Sequence, residues 1–295
     1  MAPMGVRAAV PHVPGTWRLI YFNAPNRGEQ IRLLFHVAGI AFSDVRCTPY
    51  PQGLDPYRKA AMGDGSPLLG SDQCPAVTAP DGTHCVETAD IMRFVGQRVG
   101  WAPKADSAED ATAMEMCVLA QEVIDKVFYG LLMRACVKHI AAKEFLGVLK
   151  HVLPRVMLGS EKAALQVPTQ VLHGALSRIE ACLANSGGPF VLGLTPSYAD
   201  VALFDALDKA FQYDFAFDKA QLLASHPKLA TMFSEMGVRC QGWLERRVQE
   251  HMCGERTIAG FLAVTNTPFR WSRVKAPEQT TDTMVMGREK QMNYE

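Results

Sequence analysis

Tyr21, Arg27, the run Gln73-Cys74-Pro75 and the pair Glu87-Thr88 are the residues whose types and spacing could do chemistry. Tyr21 comes near the end of an alternating apolar and polar run, Trp17 to Asn23, and Arg27 follows six residues later. A tyrosine hydroxyl beside a helix start can donate a hydrogen bond to a ligand's thiolate, which favours the charged form and lowers the thiol pKa. Arg27 would add positive potential there, at a helix N-terminus where an arginine is mildly unfavourable. Taken singly, Tyr21 also reads as a strand aromatic packed on a sheet. Arg27 also reads as a surface arginine.

The stretch from Gln73 to Val95 adds a second set of groups. Proline cannot donate to a sheet ladder, so Pro75 belongs at a strand start, an edge or a special turn. An X-Pro bond is also the ordinary place for a cis peptide. If the bond after Cys74 is cis, it frees the Cys74 N–H and C=O to pair with a bound peptide. The free N–H groups at the Glu87-Thr88 helix start would form an anion site nearby. Alone, Pro75 fits a trans strand start and Glu87-Thr88 an ordinary helix signal. In this order they suggest a pocket for a small, charged, peptide-like ligand. The Cys74 thiol has no identifiable histidine partner, so its backbone is the part expected to matter.

These groups need elements to position them. Trp17–Asn23 reads as a first strand, and Arg27 to Ala38 as a helix with Ile31, Leu33, Leu34 and Val37 on its apolar face and Gly39 as C-cap. Phe42–Cys47 reads as a second strand. Thr48 to Asp72 is rich in Pro, Gly, Asp and Ser, and reads as a loop with at most one short helix near Pro56–Met62. A hairpin turning at Asp81-Gly82 and a helix ending near Gly100 follow. The order βαβ, loop, ββα gives a small mixed sheet with helices on it. Trp101–Asp106 reads as a linker. Beyond it every periodic segment is helical: Ala111–Leu132, Ala135–Val156, Pro168–Ala184, Tyr198–Phe211, Lys219–Ala224 and Lys228–Arg246. Ser197-Tyr198-Ala199-Asp200 has the spacing of a capping box with Asp at its acid position. The division expected is an extension over 1–16, an α/β domain over 17–100, a linker over 101–106, an all-helical domain over 107–252 and an extension over 253–295.

Bulk composition excludes several classes. The formal net charge is zero over 295 residues, which gives no electrostatic case for nucleic acid or an anionic membrane. No apolar run is long enough to span a bilayer. The 8 cysteines form no C-x-x-C pair and read as reduced thiols. His139 and His151 lack a metal-site pattern, so no metal is expected. Gly63-Asp64-Gly65 and Gly159-Ser160-Glu161-Lys162 lack phosphate-loop spacing. Residues 1–16 contain no acidic residue, as transit peptides do, but Pro3, Pro11 and Pro14 interrupt any helix there. The cytoplasm is the expected compartment, with an organelle as the alternative.

The chain resembles the cytosolic glutathione S-transferases, most nearly the sigma-like group. Trp17–Asn23 with Arg27–Leu34 is similar to that family's first strand and helix, and Gln73–Val77 to its Gln-x-Pro-Val segment with the cis-proline. Glu87-Thr88 stands where the family has Gln-Ser or Glu-Ser. Gly187–Gly193, Thr195 and Ser197–Asp200 resemble its second-domain capping signature. The resemblance covers about 17–247. It implies an α/β thioredoxin-like N-terminal domain followed by an all-α C-terminal domain, as a homodimer, with glutathione as co-substrate. Tyr21 then stabilises the thiolate, with Arg27 beside it. Gln73, the Cys74 backbone and Pro75 hold the glutathione backbone, and Glu87 and Thr88 its γ-glutamyl end. Tyr57 and Lys59 stand nearest to the family's residues for the glycine carboxylate. Glu115 stands near an acid that reaches the partner subunit's ligand. Ala24, Tyr129, Met133 and Phe261 would line the pocket for a second, electrophilic and apolar substrate. The implied activity is glutathione conjugation in detoxification. The alternatives are a glutathione-dependent isomerase or peroxidase of sigma-like type, and a non-catalytic subunit of a larger assembly held through 253–295, where Phe269, Trp271 and Arg273 lie.

Overall fold

The computed structural model describes residues 8–22, 26–47, 52–132, 161–211 and 216–250. The helix expected over Ala135–Val156, the residues Ala24, Met133 and Phe261, and the extension 253–295 lie outside them.

The first domain is a four-stranded sheet. Its strands are β1 (Trp17–Phe22), β2 (Phe42–Cys47), β3 (Ala76–Thr78) and β4 (His84–Val86), in the order β2-β1-β3-β4. β1 and β2 run parallel, joined across helix α1 (Arg27–Val37); β3 and β4 are antiparallel to their neighbours. The hairpin loop is longer than the Asp81-Gly82 turn expected from the residues. Ala79 N–H donates to the Thr83 carbonyl at 2.8 Å, and Gly82 takes φ +87° inside that closure. Pro80 joins the turn because its fixed φ suits a turn and it needs no ladder partner. The stretch expected as one loop with a short helix holds three helical turns: Gln52–Tyr57, α2 (Lys59–Met62) and Gly63–Gly65.

Helix α3 (Thr88–Val99) ends at Gly100, which adopts the left-handed conformation. After it come α4 (Ala108–Val123), α5 (Glu161–Asn185), α6 (Tyr198–Phe211), α7 (Lys219–Ala224) and α8 (Pro227–Glu250). Helix α4 starts earlier than its apolar period suggests, because Ser107 caps it by accepting the Asp110 N–H at 3.2 Å. It continues into a π-turn over Ile124–Phe128. Helix α5 starts at Glu161 and runs through Pro168, seven residues before the start that the proline suggests. At the head of α6, Asp200 accepts the Ser197 N–H and hydroxyl and the Val191 N–H, each at 2.8 Å. No helix among the described residues is long and apolar enough to cross a membrane.

Among the described residues, two apolar clusters form the core. The larger is continuous from the inner sheet face (Trp17, Leu19, Tyr21, Val77) through α1 and α3 into α4, α5, α6 and α8. The smaller lies on the outer face around Ile20, Val45, Cys47, Leu54, Tyr57, Leu68 and Ala76. Residues 8–16 lie beside that outer face. Val10 N–H donates to the Tyr57 hydroxyl at 2.8 Å, and the Arg18 guanidinium donates to the Val10 carbonyl at 2.9 Å. Helix α1 is enclosed on all sides: every residue from Gly28 to Phe35 is buried. Its polar residues therefore need internal partners.

Candidate functional site

Strand register alone gathers the chemistry-bearing residues. Ile20 pairs with Ala76, and Ala76 with Val86. One step along each strand places Tyr21 against Pro75 and Pro75 against Glu87. Tyr21, Cys74-Pro75 and Glu87-Thr88 thus share one end of the sheet, where α1 also starts. The Cys74–Pro75 peptide is cis. Pro75 and Thr88 are buried, Cys74 is half-buried, and Gln73 and Glu87 are exposed.

Tyr21 is almost wholly buried and packs against the first turn of α1. Its hydroxyl has no hydrogen-bond partner among the described residues. Burial, then Tyr129 and Cys74, push its pKa well above the ordinary phenol value, against the opposing pull of Arg32 and Arg27. At neutral pH the group is therefore a proton donor and not a base. The Cys74 thiol is also pushed well up, by burial first and then by Cys47. That suppresses thiolate formation and leaves the residue inert as a nucleophile.

Arg27 opens α1 and grips Asp125 in the π-turn: its Nη2 donates to both carboxylate oxygens at 2.7 and 2.8 Å, and its Nε to one of them at 3.2 Å. Asn26, beside it, donates through its side-chain amide to the Tyr129 hydroxyl. These two contacts fasten the start of α1 to the helical domain at the mouth of the site. Tyr129 is half-buried among Asn26, Arg27 and Asp125. From below, the buried Lys209 ammonium donates to the Asn26 carbonyl at 3.2 Å and pairs with Asp205 one turn away.

Other sequence candidates fall elsewhere. Tyr57 is turned into the outer cluster, and its hydroxyl is taken by Val10, so it offers no surface to a ligand. The cause is the 3-10 turn over Gln52–Tyr57, which carries Leu54 and Tyr57 inward together. Lys59 is exposed and pairs with Asp64 at 3.4 Å. Glu115 lies on α4 and pairs with Arg178 of α5 at 2.9 Å. Residue spacing missed Gly28, Asn26, Arg32, Asp44, Asp125 and Lys209. Only Lys209 carried a signal: Asp205 and Lys209 stand four apart inside an apolar helical run, which calls for a buried pair.

The fold is a thioredoxin-like α/β domain followed by an all-helical domain, the glutathione transferase architecture. Residues 156–241 match the family model described as glutathione S-transferase, C-terminal domain. The curated protein named glutathione S-transferase P 10 of Caenorhabditis elegans is 28% identical over 232 residues, spanning 78% of this chain and 91% of that protein. Glutathione S-transferase 1 of Ascaris suum is 27% identical over 196 residues, spanning 65% of this chain and 78% of that protein. Among solved structures, a Caenorhabditis elegans glutathione S-transferase superposes with TM-score 0.55 at 24% identity, covering 79% of this chain and 98% of the other. The Ascaris lumbricoides glutathione S-transferase superposes with TM-score 0.56 at 21% identity, covering 79% and 97%. Over these spans the chain is similar to glutathione S-transferases.

Proposed function

We propose that this chain is a glutathione transferase, adding the glutathione thiolate to an electrophilic, largely apolar small molecule. The observation that carries this reading is the Tyr21 hydroxyl: carried on an almost wholly buried ring, held protonated, and without a partner among the described residues. A donor held beside two arginines favours an anionic acceptor. In this reading Tyr21 donates to the sulfur and stabilises the thiolate, and Arg27 contributes positive potential. The sulfur's electron pair forms the bond to the electrophilic carbon, and a leaving group departs with its own pair. No protein nucleophile is needed.

Gln73, the Cys74 backbone beside cis-Pro75, Glu87 and Thr88 are assigned to the glutathione backbone and γ-glutamyl end. Lys59 remains the candidate for the glycine carboxylate, and Tyr57 does not. Glu115 would have to exchange Arg178 for a ligand reached across a dimer. Tyr129 is assigned to the electrophile's side of the site, with Ala24, Met133 and Phe261 outside the described residues. Tyr21-Phe22-Asn23 and Arg27 argue for the sigma-like class, although the relatives carry other class labels. A cytoplasmic homodimer is the state this reading expects.

The test is retention of the full chain on immobilised glutathione, followed by a conjugation assay with a halonitrobenzene on the eluate. Retention with turnover supports the proposal. Retention without turnover points to a non-catalytic glutathione-binding subunit, and no retention sinks the assignment of the sheet end.

A further inference from the structure

We propose that Arg32 is the positioning residue for Tyr21: its buried guanidinium fixes the end of β1, and Trp243 of α8 steadies it through Glu29. The inference rests on the reading of Tyr21 as the thiolate's hydrogen-bond donor.

Arg32 is 2% exposed, in the middle of α1. Its Nε and Nη2 donate to the two Asp44 oxygens at 2.9 and 3.1 Å, and its Nη1 donates to Glu29 Oε2 at 3.2 Å. Nη2 also donates to the carbonyl of Phe22 at 3.1 Å. Phe22 is the last residue of β1, directly after Tyr21. The guanidinium carbon stands 5.7 Å from the centroid of the Tyr21 ring, within cation–π range. One planar group thus holds the backbone after Tyr21 and faces its ring. Lysine cannot do this, having one point charge and no fork.

The network reaches across the molecule. Trp243 Nε1 donates to Glu29 Oε1 at 2.7 Å, and Arg46 donates to Asp44 Oδ2 at 2.9 Å. A buried ion network of this kind is weak evidence for stability, since apolar residues of like volume often serve as well. An apolar side chain at position 32 would fill the space without gripping the Phe22 carbonyl. Position, and not stability, is what the arginine supplies. The charged and titratable groups facing Tyr21 are Arg32, Arg27, Tyr129 and Cys74. Of these, Arg32 and Cys74 reach the strand that carries it, the thiol of Cys74 at the Phe22 N–H and Arg32 at the Phe22 carbonyl; Arg32 alone of the two is charged and faces the ring.

The experiment uses full-length protein labelled with fluorotyrosine, the Tyr21 resonance being assigned by Tyr21→Phe. Arg32→Lys and Trp243→Phe should each move that resonance in the ligand-free protein. With glutathione bound, ultraviolet thiolate absorbance should show the thiol pKa rising by about one unit in Arg32→Lys, about tenfold less thiolate at neutral pH. KM for glutathione should stay within about twofold, because the loss lies in the reacting state and not in ground-state binding. The Arg32→Lys/Tyr21→Phe double variant should be no worse than Tyr21→Phe alone, as expected of residues acting in series. An unmoved Tyr21 resonance, or losses that add, overturns the proposal. If Arg32→Lys does not fold, the resonance in Trp243→Phe decides it. If the wild type binds no glutathione, the functional reading fails, while the ligand-free resonance still decides the positioning role.

Discussion

The ring of Tyr21 lies against the backbone of Gly28 so closely that a methyl group on Gly28 would stand 2.3 Å from its Cδ1 and 2.4 Å from its Cγ. The penultimate residue of β1 and the second residue of α1 are therefore one fitted unit. Glycine is required at 28 for close approach.

Gly28→Ala must displace the Tyr21 ring or the first turn of α1. Overpacking of this kind costs about 1–3 kcal/mol. The expected outcome is a lower denaturation midpoint together with a loss of conjugation as large as that of Tyr21→Phe. A stable, fully active Gly28→Ala protein would show that the ring has room to move without consequence.

Tyr21→Phe removes one hydrogen bond to a charged sulfur, worth about 1.5–3 kcal/mol, or about tenfold to a hundredfold in turnover. Retention on glutathione should be largely unchanged. Because burial holds the phenol protonated, the rate should rise with pH through the thiol's own titration, with no second inflection from Tyr21 near neutrality. A turnover equal to that of the wild type would remove Tyr21 from the mechanism.

Arg27 and Asp125 are each more than one third exposed, so their ion pair is worth at most about 1 kcal/mol of stability. Its effect is electrostatic. Asp125→Asn should leave the melting point nearly unchanged, release the Arg27 charge, and lower the pKa of bound glutathione. Arg27→Gln should raise it. Thiolate absorbance against pH measures both, and shifts of the same sign contradict the assignment.

Glu87 precedes α3 at φ +66°, ψ +124°, a conformation that costs a non-glycine residue about 1–3 kcal/mol. Glu87→Gly should relieve that strain and hold or raise the melting point. It also removes a carboxylate assigned to the γ-glutamyl end, so KM for glutathione should rise about tenfold. A destabilised protein with unchanged KM would reverse both halves of the argument.

Burial alone would raise the pKa of Asp44, but Arg32 and then Arg46 override it and hold it below the usual carboxylate value. A depressed folded value contributes stability that is complete above the unfolded value of about 3.9 and is lost as pH falls through the folded one. Urea midpoints measured from neutral pH to below about pH 4 should fall more steeply for wild type than for Asp44→Asn. Parallel curves would show that Asp44 does not carry the acid sensitivity.

The elements of the first domain were readable because their signals are local. Trp17–Phe22 is a short run rich in apolar and aromatic residues, α1 has an apolar period, and Pro75 and Gly100 mark a strand start and a helix end. Once those strands pair in register, Tyr21, Pro75 and Glu87 must come to one end, so the candidate site was readable too. The errors arose where a local rule met a non-local contact. Pro168 looks like a helix start, yet α5 runs through it. Tyr57 lies close in sequence to Lys59, yet the 3-10 turn buries it against the outer sheet face.

By itself the sequence determined which residues could do chemistry and which strands would bring them together, because periodicity and register act over a few residues. Only the tertiary structure decided what holds them. Glu29, Gln30 and Arg32 read as the polar face of a surface helix. The second domain supplies partners for two of them, Trp243 to Glu29 and Gln121 and Ala202 to Gln30, while Arg32 turns to Asp44 of β2, because polar groups taken out of water must be paired. Those partners lie up to 214 residues away in the chain, beyond the reach of any spacing rule.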